Sequence, residues 1–210
     1  MTPSFLETAP VAAARATLLL AHGAGAPMDS DYLELLAEAL AAQGVRVLRF
    51  EFPYMATRRA LGGKRPPNPM PVLQDSFRAH YQALPGPVFI GGKSMGGRVA
   101  SLLADELGAA GLVCFGYPFH PPGKPDRPRT AHLAQLRTPT LILQGTRDPF
   151  GKPEEVAGYA LSGQIQVSWL ESGDHDFKPL KSSGLDQQQL IEQAARHTHE
   201  FLRGCAQLPG

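Results

Sequence analysis

The feature that most constrains the fold is the alternation between short apolar runs and longer amphipathic stretches. Each apolar run has the length of a buried strand, whereas the spacing of Leu33, Leu36 and Leu40 places three side chains on one face of a helix. Strands that alternate with helices favour right-handed crossovers and a mostly parallel sheet with helices on both faces. The predicted strands are Thr17–Ala21, Val45–Phe50, Val88–Gly91, Leu112–Phe115, Thr140–Gln144 and Ile165–Leu170.

Helices are predicted between and after these strands. The first is capped by Asp29 or Ser30 and runs to about Gln43. The proline-rich segments Glu51–Pro71 and Pro118–Pro128 are predicted to be loops, because proline interrupts both helices and strands. The remaining predicted helices are Val72–Leu84, Met95–Leu107, Pro153–Leu161 and Gln187–Arg203.

The length and net charge of the chain limit the kinds of protein that this sequence can encode. The chain has 210 residues, which predicts a single α/β domain over 1–210 with its core at about 17–203. It carries 20 basic and 19 acidic residues, a net charge of +1, which argues against nucleic-acid binding driven by bulk charge. Since no apolar run reaches the roughly 18 residues of a membrane span, no membrane association is predicted.

The cysteines and the first residues suggest a cellular compartment. Cys114 and Cys205 are too few for a disulfide framework, so free thiols in a reducing compartment are expected. No spacing of Cys and His is typical of a zinc site, and no cofactor or metal is expected. The segment Pro10–Ala21 lacks a basic beginning and is interrupted by Arg15, which is atypical of a secretory signal. A cytoplasmic location is therefore predicted.

The motif that carries chemistry is Gly92-Lys93-Ser94-Met95-Gly96, a G-x-S-x-G between a predicted strand and a predicted helix. Such a sharp turn projects the Ser94 hydroxyl from the top of a sheet, and the two glycines let strand and helix approach closely. The turn has two other interpretations, a tight turn with a capping serine and a phosphate-binding loop. The phosphate loop is disfavoured because its G-x-x-x-x-G-K-[ST] spacing is not met.

A serine hydroxyl is a weak nucleophile and needs a base held by an acid. His175 follows the strand Ile165–Leu170, and Asp148 follows the strand Thr140–Gln144. The candidate triad residues occur along the chain in the order Ser94, Asp148, His175. This order is typical of parallel-sheet enzymes whose nucleophilic serine lies at a strand–helix turn. Asp174 and Asp176, next to His175, remain alternatives for the acid.

Attack on a carbonyl also needs N–H donors for the developing oxyanion. The residue after the nucleophile, Met95, is predicted to supply one backbone N–H. The other is expected from the loop His22-Gly23-Ala24-Gly25 after the first strand, with Ala24 as the favoured donor. His22 is interpreted as a residue that braces this loop and not as a base.

Five segments together resemble the α/β-hydrolase superfamily over about residues 17–203. The segments are LLLAHGAGA, FEFPYM, GGKSMGGRVAS and the GTRDPF and GDHDF loops. They are similar to the small lidless branch that includes the KANL-like hydrolases, near the dienelactone hydrolase-like enzymes. The resemblance implies an α/β-hydrolase fold without a lid, Ser94 as nucleophile, Asp148 as acid, His175 as base, and Ala24 and Met95 as backbone donors. Dienelactone hydrolases use a cysteine nucleophile, so Ser94 argues against their substrate.

The basic residues of the proline-rich segments suggest contacts to an anionic substrate group. Arg58, Arg59 and Arg65 lie in a first stretch that, from Tyr54 to Pro71, has no acidic residue. Guanidinium groups bind carboxylate and phosphate in a bidentate manner, so these three arginines are candidate substrate contacts. The second stretch adds Lys124, Arg127 and Arg129. An ordinary solvated loop explains the same charges equally simply.

The residues together predict a serine hydrolase that cleaves a small carboxylic ester or thioester through an acyl-enzyme, with the oligomeric state undetermined. The alternative is a non-catalytic interaction protein on a hydrolase scaffold. A peptidase or a C–C bond hydrolase would share the same triad chemistry, since the pocket sets the specificity.

Overall fold

A seven-stranded sheet forms the centre of the protein. The computed structural model describes residues 3–207, with side chains described up to residue 205. The strands are β1 (Leu6–Thr8), β2 (Ala16–Ala21), β3 (Val45–Phe50), β4 (Phe89–Lys93), β5 (Gly111–Phe115), β6 (Thr140–Gly145) and β7 (Ile165–Leu170). The helices are α1 (Asp31–Ala42), α2 (Pro53–Leu61), α3 (Met70–Gln82), α4 (Met95–Leu107), α5 (Pro153–Val156) and α6 (Gln187–Gln207). Two short 3₁₀ helices span Ala131–Gln135 and Lys181–Ser183.

The strand order is β1-β3-β2-β4-β5-β6-β7, and only the pairing of β1 with β3 is antiparallel among the described strands. The predicted mostly parallel sheet with helices on both faces is therefore confirmed. All six longer strands end at the same edge of the sheet. The loops that follow β2, β4, β6 and β7 meet there, which is where ligands bind in open α/β sheets.

Helices cover both faces of the sheet. Successive strand residues point to opposite faces, so Leu18 and Leu20 pack with one apolar cluster and Leu19 packs with the other. The cluster around Leu18 and Leu20 includes side chains from α1 and α6. The cluster around Leu19 includes side chains from α3 and α4. This covering explains why the strands are continuous apolar runs.

The segment Glu51–Pro71 is not a continuous loop as predicted. Helix α2 occupies Pro53–Leu61, and Pro53 lies in its first turn. Proline is tolerated there because the first N–H groups of a helix have no intrahelical acceptor. The proline-based argument was therefore wrong for this stretch, since it treated Pro53 as a breaker.

Three smaller differences concern helix and strand ends. The helix predicted over Pro153–Leu161 ends at Val156, because a turn containing Gly158 follows it. Ser30 is the cap residue of α1, but its side chain makes no capping hydrogen bond. The three-residue strand β1 was not predicted, since so short a run shows no periodicity. It is held to β3 by backbone pairing and by an ion pair between Glu7 and Arg46 at 2.7 Å.

Candidate active site

The turn from β4 to α4 holds Ser94 in an unusual backbone conformation. Its φ is 51° and its ψ is −116°, a region that non-glycine residues rarely adopt and that costs about 1–3 kcal/mol. Two backbone hydrogen bonds stabilise the turn: the Ser94 N–H donates to the Phe115 carbonyl, and the Arg98 N–H donates to the Ser94 carbonyl, both at 3.0 Å. The strand–turn–helix context predicted from the G-x-S-x-G motif is therefore present.

The turn leaves no room for a side chain at Gly92 or Gly96. A Cβ at Gly92 would lie 2.3 Å from the carbonyl carbon of Gly96. A Cβ at Gly96 would lie 2.6 Å from the carbonyl oxygens of Ala21 and His22. Since these neighbours are backbone atoms, they cannot move aside as a side chain can.

Replacing Gly96 with alanine should destabilise the protein by about 3 kcal/mol, because the added methyl group overpacks the contact between α4 and β2. The measurement is the urea midpoint and slope of unfolding. Gly204→Ala is the matched control, because Gly204 is also helical and nothing lies within 4 Å of an added Cβ. Equal midpoints for the two variants would contradict this packing argument.

Ser94, His175 and Asp148 form one chain of hydrogen bonds. His175 Nδ1 lies 2.7 Å from Asp148 Oδ2, and His175 Nε2 lies 2.9 Å from Ser94 Oγ. Because an ionised carboxylate only accepts, Nδ1 carries the proton and Nε2 presents its lone pair to the Ser94 hydroxyl. The imidazole is thus in the tautomer that can accept the Ser94 proton.

Asp148 is fully buried and its carboxylate is well supplied with donors. Oδ2 accepts from Gln144 Nε2 at 2.9 Å as well as from His175, and Oδ1 accepts from the Phe150 N–H at 2.8 Å. Gln144 was not recognised from the sequence. The available signal was a polar residue at the end of the apolar run TLILQ.

The two alternative acids make other contacts. Asp174 Oδ1 accepts from the Asp176 and Lys178 N–H groups, both at 2.9 Å, which folds the loop that carries His175. Asp176 Oδ1 lies 3.3 Å from Lys93 Nζ. Neither carboxylate hydrogen-bonds the His175 ring, so the geometry favours Asp148 over both.

Lys93 is a second residue whose place the sequence did not reveal. Its ammonium donates to the main-chain carbonyl of His175 at 2.7 Å and lies 5.4 Å from the centre of the Tyr32 ring. Burial lowers the pKa of Lys93, while the Asp176 carboxylate acts in the opposite direction. Lys93 therefore ties the end of β4 to the loop that holds His175, directly beside Ser94.

The loop after β2 lies against the serine turn. A Cβ at Gly23 would lie 3.7 Å from Ser94 Cβ. Within residues 3–207 the Ala24 N–H donates to no backbone acceptor, and the Met95 N–H belongs to the first turn of α4, where donors have no intrahelical acceptor. The Tyr54 hydroxyl donates to the Ala24 carbonyl at 2.8 Å and stabilises the loop from the other side.

His22 braces this loop, as predicted. It is fully buried, its Nδ1 lies 2.7 Å from the Gly23 carbonyl oxygen, and its Nε2 accepts from the Phe52 N–H at 3.0 Å. Burial lowers the pKa of His22, so the ring is neutral. Both ring nitrogens are occupied by the backbone and neither faces Ser94.

A second serine–histidine contact lies on the same helix. Ser101 Oγ is 2.8 Å from His132 Nε2, and it is also 2.8 Å from the Arg98 carbonyl, to which it donates. The pKa of His132 is lowered to about 4 by burial and by the charge of Arg98. Because no carboxylate of the described chain pairs with His132 and Ser101 is buried, this pair lacks the acid and the access that a nucleophile requires.

The three arginines predicted to contact an anion have different surroundings. Arg59 is paired with Glu51 at 2.7 Å and with Asp29 at 2.6 Å, which also accounts for Asp29 not capping α1. These carboxylates lie outside the stretch that the sequence argument considered, and a substrate anion would have to compete with them for the Arg59 guanidinium. Arg58 donates to the Gly25 carbonyl at 3.2 Å, beside the site, whereas Arg65 is exposed and lines a small cavity with Pro53.

Cys114 is a buried free thiol, and Cys205 is a half-buried free thiol. Within residues 3–207 no three His, Cys, Asp or Glu side chains converge to hold a metal ion. No helix in that part of the chain is long and apolar enough to cross a membrane.

The sequence matches the family model described as an alpha/beta hydrolase domain over residues 14–203. The chain belongs to the alpha/beta hydrolase family. The fold class and the resemblance inferred from the sequence are thereby confirmed. The hydrolase sheet of this chain has only the short 3₁₀ helix Ala131–Gln135 between β5 and β6 in the described structure, and so carries no lid domain there.

Solved structures share this fold at low sequence identity. An alpha-beta serine hydrolase homologue from Coxiella burnetii has a TM-score of 0.71 and 20% identity, with 92% of this chain and 90% of that chain covered. A serine hydrolase without a lid from Xanthomonas campestris has a TM-score of 0.65 and 20% identity, covering 91% and 87%. Est1E from Butyrivibrio proteoclasticus, solved with ferulic acid bound, has a TM-score of 0.69 and 13% identity, covering 95% of each chain.

Proposed function

We propose that this alpha/beta hydrolase is a serine hydrolase that cleaves a small carboxylic ester or thioester through an acyl-enzyme. The observation that carries the proposal is the unbroken chain Ser94–His175–Asp148, with contacts of 2.9 and 2.7 Å. Ser94 is the proposed nucleophile, His175 the base and Asp148 the acid. The backbone N–H groups of Ala24 and Met95 are the proposed oxyanion donors.

The first half-reaction transfers the acyl group to Ser94. Oγ attacks the carbonyl carbon while its proton passes to His175 Nε2, and the carbonyl oxygen becomes an oxyanion between the Ala24 and Met95 N–H groups. The buried Asp148 carboxylate stabilises the imidazolium that forms and keeps the ring in place. The bond to the leaving oxygen or sulfur then breaks, and His175 returns its proton to that atom.

The second half-reaction releases the acid. Water takes the place of the departed alcohol or thiol, gives its proton to His175 Nε2 and attacks the acyl carbon. The second tetrahedral intermediate collapses to a carboxylic acid as its bond to Ser94 Oγ breaks, and His175 returns its proton to that oxygen. Water is the only reactant in this sequence besides the substrate and the chain's own residues.

The absence of a lid domain in the described chain supports small substrates that enter from solvent. Est1E, which shares the fold, binds ferulic acid. That relative supports a search among small esters of carboxylic acids, without assigning its ligand to this chain.

Labelling with a fluorophosphonate, read as intact-protein mass, tests the proposal. We expect one adduct on the wild type and on Ser101→Ala, and none on Ser94→Ala. Ser101 is the matched control because it lies on the helix that follows Ser94 and its hydroxyl also contacts a histidine. An adduct that disappears with Ser101 and persists in Ser94→Ala would refute the assignment.

A wild-type protein that folds but gives no adduct would favour the alternative, a non-catalytic interaction protein on a hydrolase scaffold. If the adduct forms, matched ester and thioester panels then distinguish the two leaving groups.

A further inference from the structure

Two half-buried arginines, Arg98 and Arg129, have no acidic partner in the described chain. Within residues 3–207 no carboxylate oxygen lies within 4.0 Å of a side-chain nitrogen of either one. Several other arginines of the chain do have a carboxylate partner: Arg46, Arg49, Arg59, Arg78 and Arg137. Half-buried cations without a counter-ion are costly. Arg58 is also half-buried and without a salt bridge in this part of the chain, but its guanidinium donates to the Gly25 carbonyl.

Arg98 lies one helical turn after the nucleophile. Its N–H donates to the Ser94 carbonyl at 3.0 Å, and residues four apart share a helix face. Helical side chains lean towards the N-terminus, which favours a position of the Arg98 side chain on the Ser94 side of its own Cα. Its Nε is buried and has no hydrogen-bond partner in the described structure. A buried donor without an acceptor is the feature that a bound anion would satisfy.

Arg129 lies in the segment after β5, and side-chain contacts link its backbone to α4. Its carbonyl accepts from the Tyr117 hydroxyl at 3.0 Å, and that hydroxyl lies 3.5 Å from His132 Nε2. His132 in turn contacts Ser101 on α4 at 2.8 Å. These contacts fix the backbone of Arg129 beside α4. Burial and the charge of Arg98 both lower the pKa of Arg129, as two neighbouring cations without an anion require.

The groups around the pair are neutral. With its pKa lowered to about 4, His132 is uncharged at pH 7, and burial raises the pKa of Tyr117, which keeps that hydroxyl protonated. Two guanidinium groups in such surroundings match an oxyanion of the carboxylate or phosphate type.

We propose that Arg98 and Arg129 form an anion subsite, so that the preferred substrate is an ester or thioester that carries a carboxylate or phosphate group near the scissile bond. This inference rests on the proposed function and specifies the substrate class for the same site. It also places anion recognition at Arg98 and Arg129, away from Arg59 and Arg65.

A matched pair of substrates tests the subsite. The anionic member is the 4-nitrophenyl hemi-ester of glutaric acid, and the neutral member is the same compound with its free carboxylate methylated. We expect wild type to prefer the hemi-ester. Arg98→Gln and Arg129→Gln should each lower kcat/KM for the hemi-ester by about 10- to 100-fold and leave the neutral ester within about threefold. Inhibition by glutarate and by inorganic phosphate distinguishes a carboxylate from a phosphate preference.

Arg196→Gln is the control, because Arg196 is exposed on α6 and makes no salt bridge in the described chain. If Arg98→Gln and Arg129→Gln lower kcat/KM equally for both substrates, or lower it for neither, the subsite is overturned. Loss of the preference in Arg58→Gln, with Arg98→Gln and Arg129→Gln unaffected, would overturn it in favour of the sequence-based candidate. Far-ultraviolet circular dichroism shows whether each variant is folded.

Failure of the proposed function is distinguishable from failure of the subsite. An inert site gives no fluorophosphonate adduct and hydrolyses neither ester. Calorimetric titration of glutarate and of phosphate then tests the subsite without catalysis. Heat of binding to wild type that vanishes in the double variant Arg98→Gln/Arg129→Gln supports it, and absence of binding to wild type overturns it.

Discussion

Replacing Ser94 with alanine should lower kcat for ester hydrolysis by a factor on the order of 10⁴–10⁶. The variant removes the hydroxyl oxygen that lies 2.9 Å from His175 Nε2, so no acyl-enzyme can form. The oxyanion donors are backbone groups and remain, so a small residual acceleration over water is expected. The measurement is kcat under single-substrate saturation with the best ester of the panel.

Two controls keep this result interpretable. Ser101→Ala should retain activity, because Ser101 is buried and contacts a histidine that pairs with no carboxylate in the described chain. Ser94→Ala should also unfold no more readily than wild type. A folded Ser94→Ala protein with near-normal turnover would end the proposed mechanism.

Asp148→Asn should lower kcat by a factor on the order of 10⁴. Both carboxylate oxygens of Asp148 accept hydrogen bonds, Oδ1 from Phe150 and Oδ2 from Gln144 and His175. In Asp148→Asn the amide nitrogen replaces one of these oxygens and therefore faces an N–H donor from which it cannot accept. If the amide nitrogen donates to His175 Nδ1, the ring proton moves to Nε2, and His175 can no longer accept the Ser94 proton.

Asp174→Asn is the matched test of the alternative acid. The Asp174 side chain caps backbone N–H groups of its own loop, and a loss of less than about tenfold is expected. A large loss in Asp174→Asn together with a small loss in Asp148→Asn would reassign the acid. The kcat values of the two variants, measured on the same substrate, decide between them.

The parallel sheet could be predicted because its signal is local. Each buried strand is a short apolar run, and each covering helix shows its own periodicity, as Leu33, Leu36 and Leu40 do. Helix α2 was missed because the rule that proline breaks helices ignores its tolerance in the first turn, where Pro53 lies. Strand β1 was missed because its pairing with β3 is long-range and its own residues carry no pattern.

Parts of the candidate site could likewise be predicted from the sequence, and other parts could not. The turn at Ser94 is encoded by neighbouring residues, since Gly92 and Gly96 are the positions where a Cβ would strike backbone. The positions of Asp148 and His175 followed from the rule that reactive groups lie past the carboxyl ends of parallel strands. The sequence favoured Asp148 as the acid but left Asp174 and Asp176 as alternatives, because all three carboxylates follow strands at the same edge of the sheet.

The sheet, the serine turn and the set of residues from which a triad can form could be predicted from local patterns in the chain. These patterns depend on side-chain volume, apolar periodicity and backbone conformation within a few residues. The contact of Asp148 with His175, the bracing of the His175 loop by Lys93, and the ion pairs of Arg59 that Arg98 and Arg129 lack became visible in the folded structure alone. Those outcomes depend on contacts between segments far apart in the chain, such as the 81 residues between Ser94 and His175, and packing alone brings such groups within hydrogen-bond distance.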